Sequence, residues 1–152
     1  MRKNTRKRVV LIFGTFDELH DGHRFFLREA RRKGDYLIAV VARDAVVEKL
    51  KGKQPRQPFK KRLAGLLASG LADDASPGDD TLGLWSAIKR YSPDLVALGY
   101  DQMQLEKELR VFIKKEHLST ELVTIAALNP DRLHSRFLRK KAKSLAAPPA
   151  VF

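Results

Sequence analysis

No cysteine occurs among the 152 residues. That excludes disulfide bridges and thiolate metal sites, and it leaves the redox compartment open. A reducing cytoplasm, the expected location, is compatible with it. Long apolar runs are missing as well: none approaches the roughly 18 residues that would suggest a membrane span. The basic start, residues 1–8, leads directly into an apolar strand pattern, so neither a membrane nor a secreted fate is expected. Acidic residues are outnumbered, with 18 Asp and Glu against 30 Lys and Arg and a formal net charge of +12. Such an excess invites a nucleic-acid reading, because Lys and Arg release counterions as they neutralise phosphates. The positive residues are spread over 2–8, 28–33, 49–62 and 136–143, and no aromatics are interleaved with them as a stacking platform. Nucleic acid is therefore not the expected main partner. The same surface attracts nucleoside triphosphates and phosphorylated small molecules.

The length suits one domain with a sizeable core. The expected division is a basic extension over 1–8, one domain over 9–143 and an irregular tail over 144–152, where Pro148 and Pro149 break any regular pattern. Within the domain, apolar strands alternate with helical patterns. Strands are expected at 9–13, 36–42, weakly at 71–76, at 95–98 and at 121–126; helices at 24–33, 59–70, 81–91 and 106–116. This alternation predicts an α/β fold, a single-domain doubly wound parallel sheet of Rossmann-like type with ligands at the carboxyl ends of the strands. Two acidic pairs, Asp73-Asp74 and Asp79-Asp80, flank Pro77-Gly78. Asp and Gly are ordinary turn residues, so a solvated turn is preferred there over a metal site.

The most informative stretch is Gly14-Thr15-Phe16-Asp17-Glu18-Leu19-His20-Asp21-Gly22-His23. It follows the apolar run Val9-Val10-Leu11-Ile12-Phe13 and opens a helical pattern. Gly14 permits a sharp turn, and Gly22 permits close approach to the first turn of the helix. The free N–H groups and positive dipole end of a helix start bind anions. His20 and His23, three residues apart, can face one anion as neutral donors or as cations. Asp17 could serve a substrate group or the loop backbone. Asp44, just past the second strand, could orient a ligand or cap a helix. Lys49, Lys51 and Lys53 fall in an expected basic loop with Gly52 and Pro55, and Arg62 is expected near the start of a helix, reaching a phosphate or the surface.

Gly-Thr-Phe-Asp-x-Leu-His-x-Gly-His resembles the signature of the cytidylyltransferase-like nucleotidyltransferases. Ala42-Arg43-Asp44, the lysines of 49–53 and Gly99-Tyr100-Asp101-Gln102 make the likeness strongest to the archaeal-type FAD synthases, over roughly residues 8–142. The resemblance implies that His20 and His23 contact the triphosphate and stabilise the transition state, and that backbone N–H groups of Gly14, Thr15 and Phe16 cradle the phosphates. It implies further that Lys51 reaches a phosphate and that Asp101 helps hold the base or ribose, with Gly99 letting the backbone approach the base; Asp44 and Arg62 are the candidates for contact with the substrates. Leu133-His134-Ser135-Arg136-Phe137-Leu138 aligns with the family's second motif, with His134 where a Ser or Thr is expected. Ser135 and Arg136 would there contact the phosphates of the nucleotide. A homodimer is also in keeping with the resemblance.

The implied reaction joins a nucleoside monophosphate unit to a phosphorylated small molecule. A phosphate oxygen of the acceptor attacks the α-phosphorus of ATP or CTP and pyrophosphate leaves, with no protein nucleophile. Mg²⁺ is implied by the triphosphate and is expected to be held by nucleotide and water, since no carboxylate cluster stands near the motif. The first expectation is FMN adenylyltransferase; the second is a glycerol-3-phosphate or ethanolamine-phosphate cytidylyltransferase. A non-catalytic nucleotide- or RNA-binding module is the expectation of another class.

Overall fold

A computed structural model describes residues 6–126. Five strands and five helices follow one another as β1 (Val9–Gly14), α1 (Asp21–Arg31), β2 (Tyr36–Val41), α2 (Asp44–Lys51), α3 (Phe59–Ser69), β3 (Asp74–Pro77), α4 (Ser86–Tyr91), β4 (Leu95–Gly99), α5 (Met103–Lys115) and β5 (Glu121–Ile125). The strands form one sheet in the order β3-β2-β1-β4-β5, and every neighbouring pair is parallel. Chain order reverses between β1 and β4, and in doubly wound sheets the crevice at that reversal is where ligands sit.

Alternation along the strands produces the two layers. On β1, Val10 and Ile12 face one side and pack with Leu27 and Ala30 of α1 and Leu66 of α3. Leu11 and Phe13 face the other side, with Trp85, Ile88 of α4, and Leu105 and Leu109 of α5. Because both faces are covered, the central strands read as continuous Val/Ile/Leu runs. Truncating a fully buried residue such as Leu27 to Ala is expected to cost about 2–5 kcal/mol.

Three expectations about elements are corrected. The helix expected over 81–91 begins only at Ser86, because Gly83 (φ 87°) and Trp85 (φ 53°) lie in the left-handed region and break helical progression before it. Lys49 and Lys51 lie in α2 rather than in a loop; that helix ends on Gly52, which takes the left-handed cap conformation. The first helix begins at Asp21 rather than near Arg24, because His20 caps it. The acidic pairs are local ties: Asp73 accepts the Leu37 N–H at 2.8 Å and pairs with Arg31 at 2.8 Å, Asp79 accepts the Ser86 N–H at 2.9 Å, and Asp80 pairs with Arg43 at 3.1 Å.

Charged residues also start the strands. Asp94 accepts the Val9 N–H at 2.7 Å and binds Arg6 at 2.7 Å, and Asp35 accepts the Arg8 N–H at 2.8 Å. The hydrogen bond from Arg6 and the one from the Val9 N–H hold the Asp94 carboxyl below the usual carboxylate range. No described helix is long and apolar enough to cross a membrane.

Candidate active site

The turn from β1 into α1 is built around two close approaches. A Cβ on Gly14 would meet the Phe16 ring at 2.6 Å, and one on Gly22 would meet the His20 ring at 3.0 Å. Glycine at these positions lets Phe16 fold back over the strand end and lets the His20 imidazole lie on the first turn of α1. Phe16 and Glu18 both have positive φ, 52° and 54°, a conformation that costs non-glycine residues energy. Burial of the Phe16 ring, 3% exposed within the α1/α3 core, offsets that cost.

The two histidines form a capping box. His20 Nδ1 accepts the N–H groups of Gly22 at 3.1 Å and His23 at 3.4 Å, and His23 Nδ1 accepts the His20 N–H at 3.3 Å. Ser or Thr with Glu ordinarily plays this part. Here imidazoles do it, and the network thereby assigns the tautomer: with Nδ1 accepting, the proton of each neutral ring is on Nε2. The rings stack with centroids 3.8 Å apart. Burial, then the neighbouring His20 and then Lys51, push the His23 pKa down to about 4, against a smaller upward pull from Asp17. At neutral pH, His23 is an uncharged Nε2–H donor, which decides between the two forms the sequence allowed.

Lys51, in the last turn of α2, is placed by the same electrostatics. Partial desolvation lowers its pKa, Asp17 opposes this, and Arg62 and Lys53 add to the lowering. His23, Lys51, Asp17 and Arg62 therefore share one charged neighbourhood. Asp17 uses its carboxylate on backbone: Oδ2 accepts the Arg56 N–H at 2.7 Å and Oδ1 the Gln57 N–H at 2.9 Å. Gln57 in turn accepts the Glu18 N–H through Oε1 at 3.1 Å. The segment between α2 and α3 is thus fastened to the signature turn.

Arg62 differs most from expectation. It sits in the first turn of α3, near the start as expected, but it is 1% exposed and lies beneath the signature turn rather than at the surface. Its guanidinium donates to Thr15 O at 2.8 Å, Gln57 O at 3.0 Å and Asp44 Oδ1 at 2.6 Å. Asp44 is the first residue of α2 and not its cap, and its other oxygen accepts the Phe59 N–H at 3.2 Å.

Across the crevice, β4 ends at Gly99. The buried Gln102 stitches the two central strands: its Oε1 accepts the Gly99 N–H at 2.8 Å and its Nε2 donates to Phe13 O at 3.0 Å. The sequence contained Gln102 within the segment but gave it no role. Its signal was a side-chain amide directly after a strand exit, able to donate and accept at once. Asp101 is half-buried, and burial pushes its carboxyl up. The structure therefore brings Gly14, Thr15, Phe16, Asp17, His20, Gly22, His23 and Lys51 to one side of the crevice and Gly99 and Asp101 to the other. Ser135 and Arg136 lie outside the described residues.

The family profile described as cytidylyltransferase-like matches residues 11–143. The chain belongs to that family. Cytidylyltransferase-like relatives include a protein named FAD synthase from Pyrococcus horikoshii, 39% identical over 126 residues and covering 81% of this chain and 83% of the relative. Another FAD synthase, from Methanohalophilus mahii, is 33% identical over 142 residues, 90% of this chain and 98% of the relative. Among solved structures, the lipopolysaccharide core biosynthesis protein from Thermoplasma volcanium GSS1 matches with a TM-score of 0.75 at 33% identity, over 82% of this chain and all of that one. As a cytidylyltransferase-like protein of this descent, the chain is a nucleotidyltransferase.

Proposed function

We propose that this protein transfers the adenylyl group of ATP to FMN, giving FAD and pyrophosphate. In the step, an FMN phosphate oxygen bonds to the α-phosphorus as the bond from that phosphorus to the pyrophosphate oxygen breaks. The leaving pyrophosphate takes the electron pair. The protein's task is to hold attacking and leaving oxygens in line and to stabilise charge that grows on the departing group.

The observation that carries this reading is the pair of capping imidazoles at the strand reversal, in a chain with relatives named FAD synthase over four-fifths or more of its length. A neutral Nε2–H donor on His23 strengthens its hydrogen bond as charge develops, and its orientation is fixed before the reaction by the Nδ1 bond. His20 acts beside it in the same way. Lys51 adds a positive charge on the phosphates from α2. The backbone N–H groups of Gly14, Thr15 and Phe16 cradle the triphosphate, with Gly22 leaving room at the helix start. Gly99 and Asp101 receive the base and ribose from the other side of the crevice, and Ser135 and Arg136 complete the phosphate contacts. Asp44 acts on the substrates through the element it anchors.

A divalent cation, Mg²⁺ in this reading, belongs with the nucleotide rather than with a protein cage. Among the described residues no group of three or more His, Cys, Asp or Glu could hold one, and both Asp17 oxygens already accept backbone N–H groups. Bound to the triphosphate, it shields phosphate charge.

The test crosses ATP and CTP, each with Mg²⁺, against FMN, glycerol 3-phosphate and ethanolamine phosphate, with pyrophosphate release as readout. Turnover with ATP and FMN alone supports the proposal. Turnover with CTP and an alcohol phosphate would replace it with a cytidylyltransferase, and silence in every combination would leave a nucleotide- or RNA-binding module.

A further inference from the structure

We infer that Arg62 is a positioning residue that turns the Phe16 N–H outward as a phosphate donor and locks the signature turn to the helix bearing Lys51; this rests on the nucleotide-site reading above. A guanidinium has five N–H donors in a rigid planar fork and no acceptor. Here the fork lies wholly inside the protein, with its side chain 0% exposed. It meets three acceptors from three separate parts of the chain: the Thr15 carbonyl, the Gln57 carbonyl and the Asp44 carboxylate. Burying a charged group is costly unless it is paired and fully hydrogen-bonded. This one is both.

The bond to Thr15 has a directional consequence. A peptide unit is planar, and in the trans form its C=O and N–H point in opposite directions; no described peptide bond is cis. With the Thr15 carbonyl drawn inward to Arg62 at 2.8 Å, the N–H of Phe16 on the same plane points away from the buried guanidinium. No described backbone carbonyl accepts a hydrogen bond from that N–H. The Phe16 ring fixes the plane from the other side, buried at 3% exposure while its backbone is held at φ 52°. An oriented N–H with no backbone partner among the described residues is what an anion-binding turn requires.

The second consequence concerns spacing. Arg62 binds Asp44 at 2.6 Å, and Asp44 is the first residue of α2. Lys51 is the last residue of that helix. One guanidinium thus fixes the signature turn relative to the helix that delivers the lysine. Lysine could not substitute: its donors share one nitrogen and cannot span three separated acceptors.

The experiment measures ATP affinity by calorimetry and follows the Phe16 amide by ¹⁵N-resolved NMR during the titration, in the wild type and in Arg62→Lys, Arg62→Met and Asp44→Asn. The wild type should bind ATP with a downfield shift of the Phe16 amide proton. Both Arg62 variants should lose that shift and bind about tenfold or more weakly, with Lys no better than Met although it keeps the charge. Asp44→Asn removes a negative charge from an anion site, so charge alone would tighten binding; the positioning role predicts weaker binding instead. If the Arg62 variants do not fold, Asp44→Asn carries the test by this difference in sign. Wild-type affinity with a retained shift in Arg62→Lys, tighter or unchanged binding in Asp44→Asn, or no Phe16 shift in the wild type would each overturn the inference. None of these readouts needs an acceptor. ATP binding with the Phe16 shift but no FAD formation would therefore sink the adenylyl-transfer reading and leave the positioning role standing.

Discussion

The two ends of the sheet use charge in opposite ways. At the amino end, carboxylates start strands and are met by arginines: Asp94 takes the Val9 N–H and Arg6, Asp35 the Arg8 N–H, and Asp73 the Leu37 N–H and Arg31. At the carboxyl end, Arg62 and Gln102 make internal, buried bonds, and in the proposed reading the Nε2 of His23, the Lys51 ammonium and the N–H of Phe16 are turned toward the nucleotide. The first arrangement settles charge within the protein. The second, in the proposed reading, holds donors ready for an anion that arrives later, beside the positive φ of Phe16 and Glu18. Stability and function are thus separated along the strands, and substitutions at the two ends should separate in the same way.

The largest effect belongs to His23→Ala. Removing a preorganised donor from the transition state should lower kcat by about 10³-fold, roughly 4 kcal/mol, while circular dichroism shows an intact fold. A steady-state assay with ATP and FMN reads this, and an unimpaired kcat would break the comparison. Lys51→Ala should come next, at about 10²-fold in kcat/KM for ATP, with Arg restoring part of the loss. Equal activity of the Ala variant would place the lysine outside the site.

The pH dependence of stability is smaller. Burial holds the His23 pKa at about 4 in the folded chain, against an ordinary value of 6.5. Between these values the unfolded chain binds the additional proton, so this contribution is complete above about pH 6.5 and is lost as the pH falls toward 4. It amounts to on the order of 2 kcal/mol after allowance for partial exposure. Denaturant unfolding between pH 4 and 7 should show the slope in the wild type and a flatter one in His23→Gln. Identical slopes would contradict the buried neutral imidazole. Smallest is Asp94→Asn at the opposite end, expected to cost about 1 kcal/mol of stability with kcat/KM unchanged. A loss of activity there would dissolve the distinction between the ends.

Much of this was legible in the sequence because local chemistry forced it. The signature from Gly14 to His23 demands small residues where the chain folds onto a ring and imidazoles where a helix begins, and each sits as its type requires. The strands were readable because both faces of a central parallel strand are apolar. What escaped was governed by distant contacts or by single dihedral angles. Leu82, Trp85 and Ile88 have helical spacing, yet Gly83 and Trp85 turn left-handed and delay α4 to Ser86. Gly52 and Pro55 suggested a loop around Lys49 and Lys51, although Gly52 ends a helix that contains both. Arg62 was expected to reach a phosphate or the surface, since arginine is seldom buried, and its three acceptors come from residues 15, 44 and 57, which no local pattern connects. Gln102 was hidden likewise, since its partner on β1 lies 89 residues away.

The most direct measurement of the central claim is FAD formation from ATP and FMN by the wild-type protein and by His23→Ala, with FAD resolved by chromatography and pyrophosphate counted in the same samples. The account predicts equal amounts of FAD and pyrophosphate from the wild type, and a rate lower by about 10³-fold in the variant. FAD formation that survives loss of the imidazole, or pyrophosphate without FAD, would contradict it.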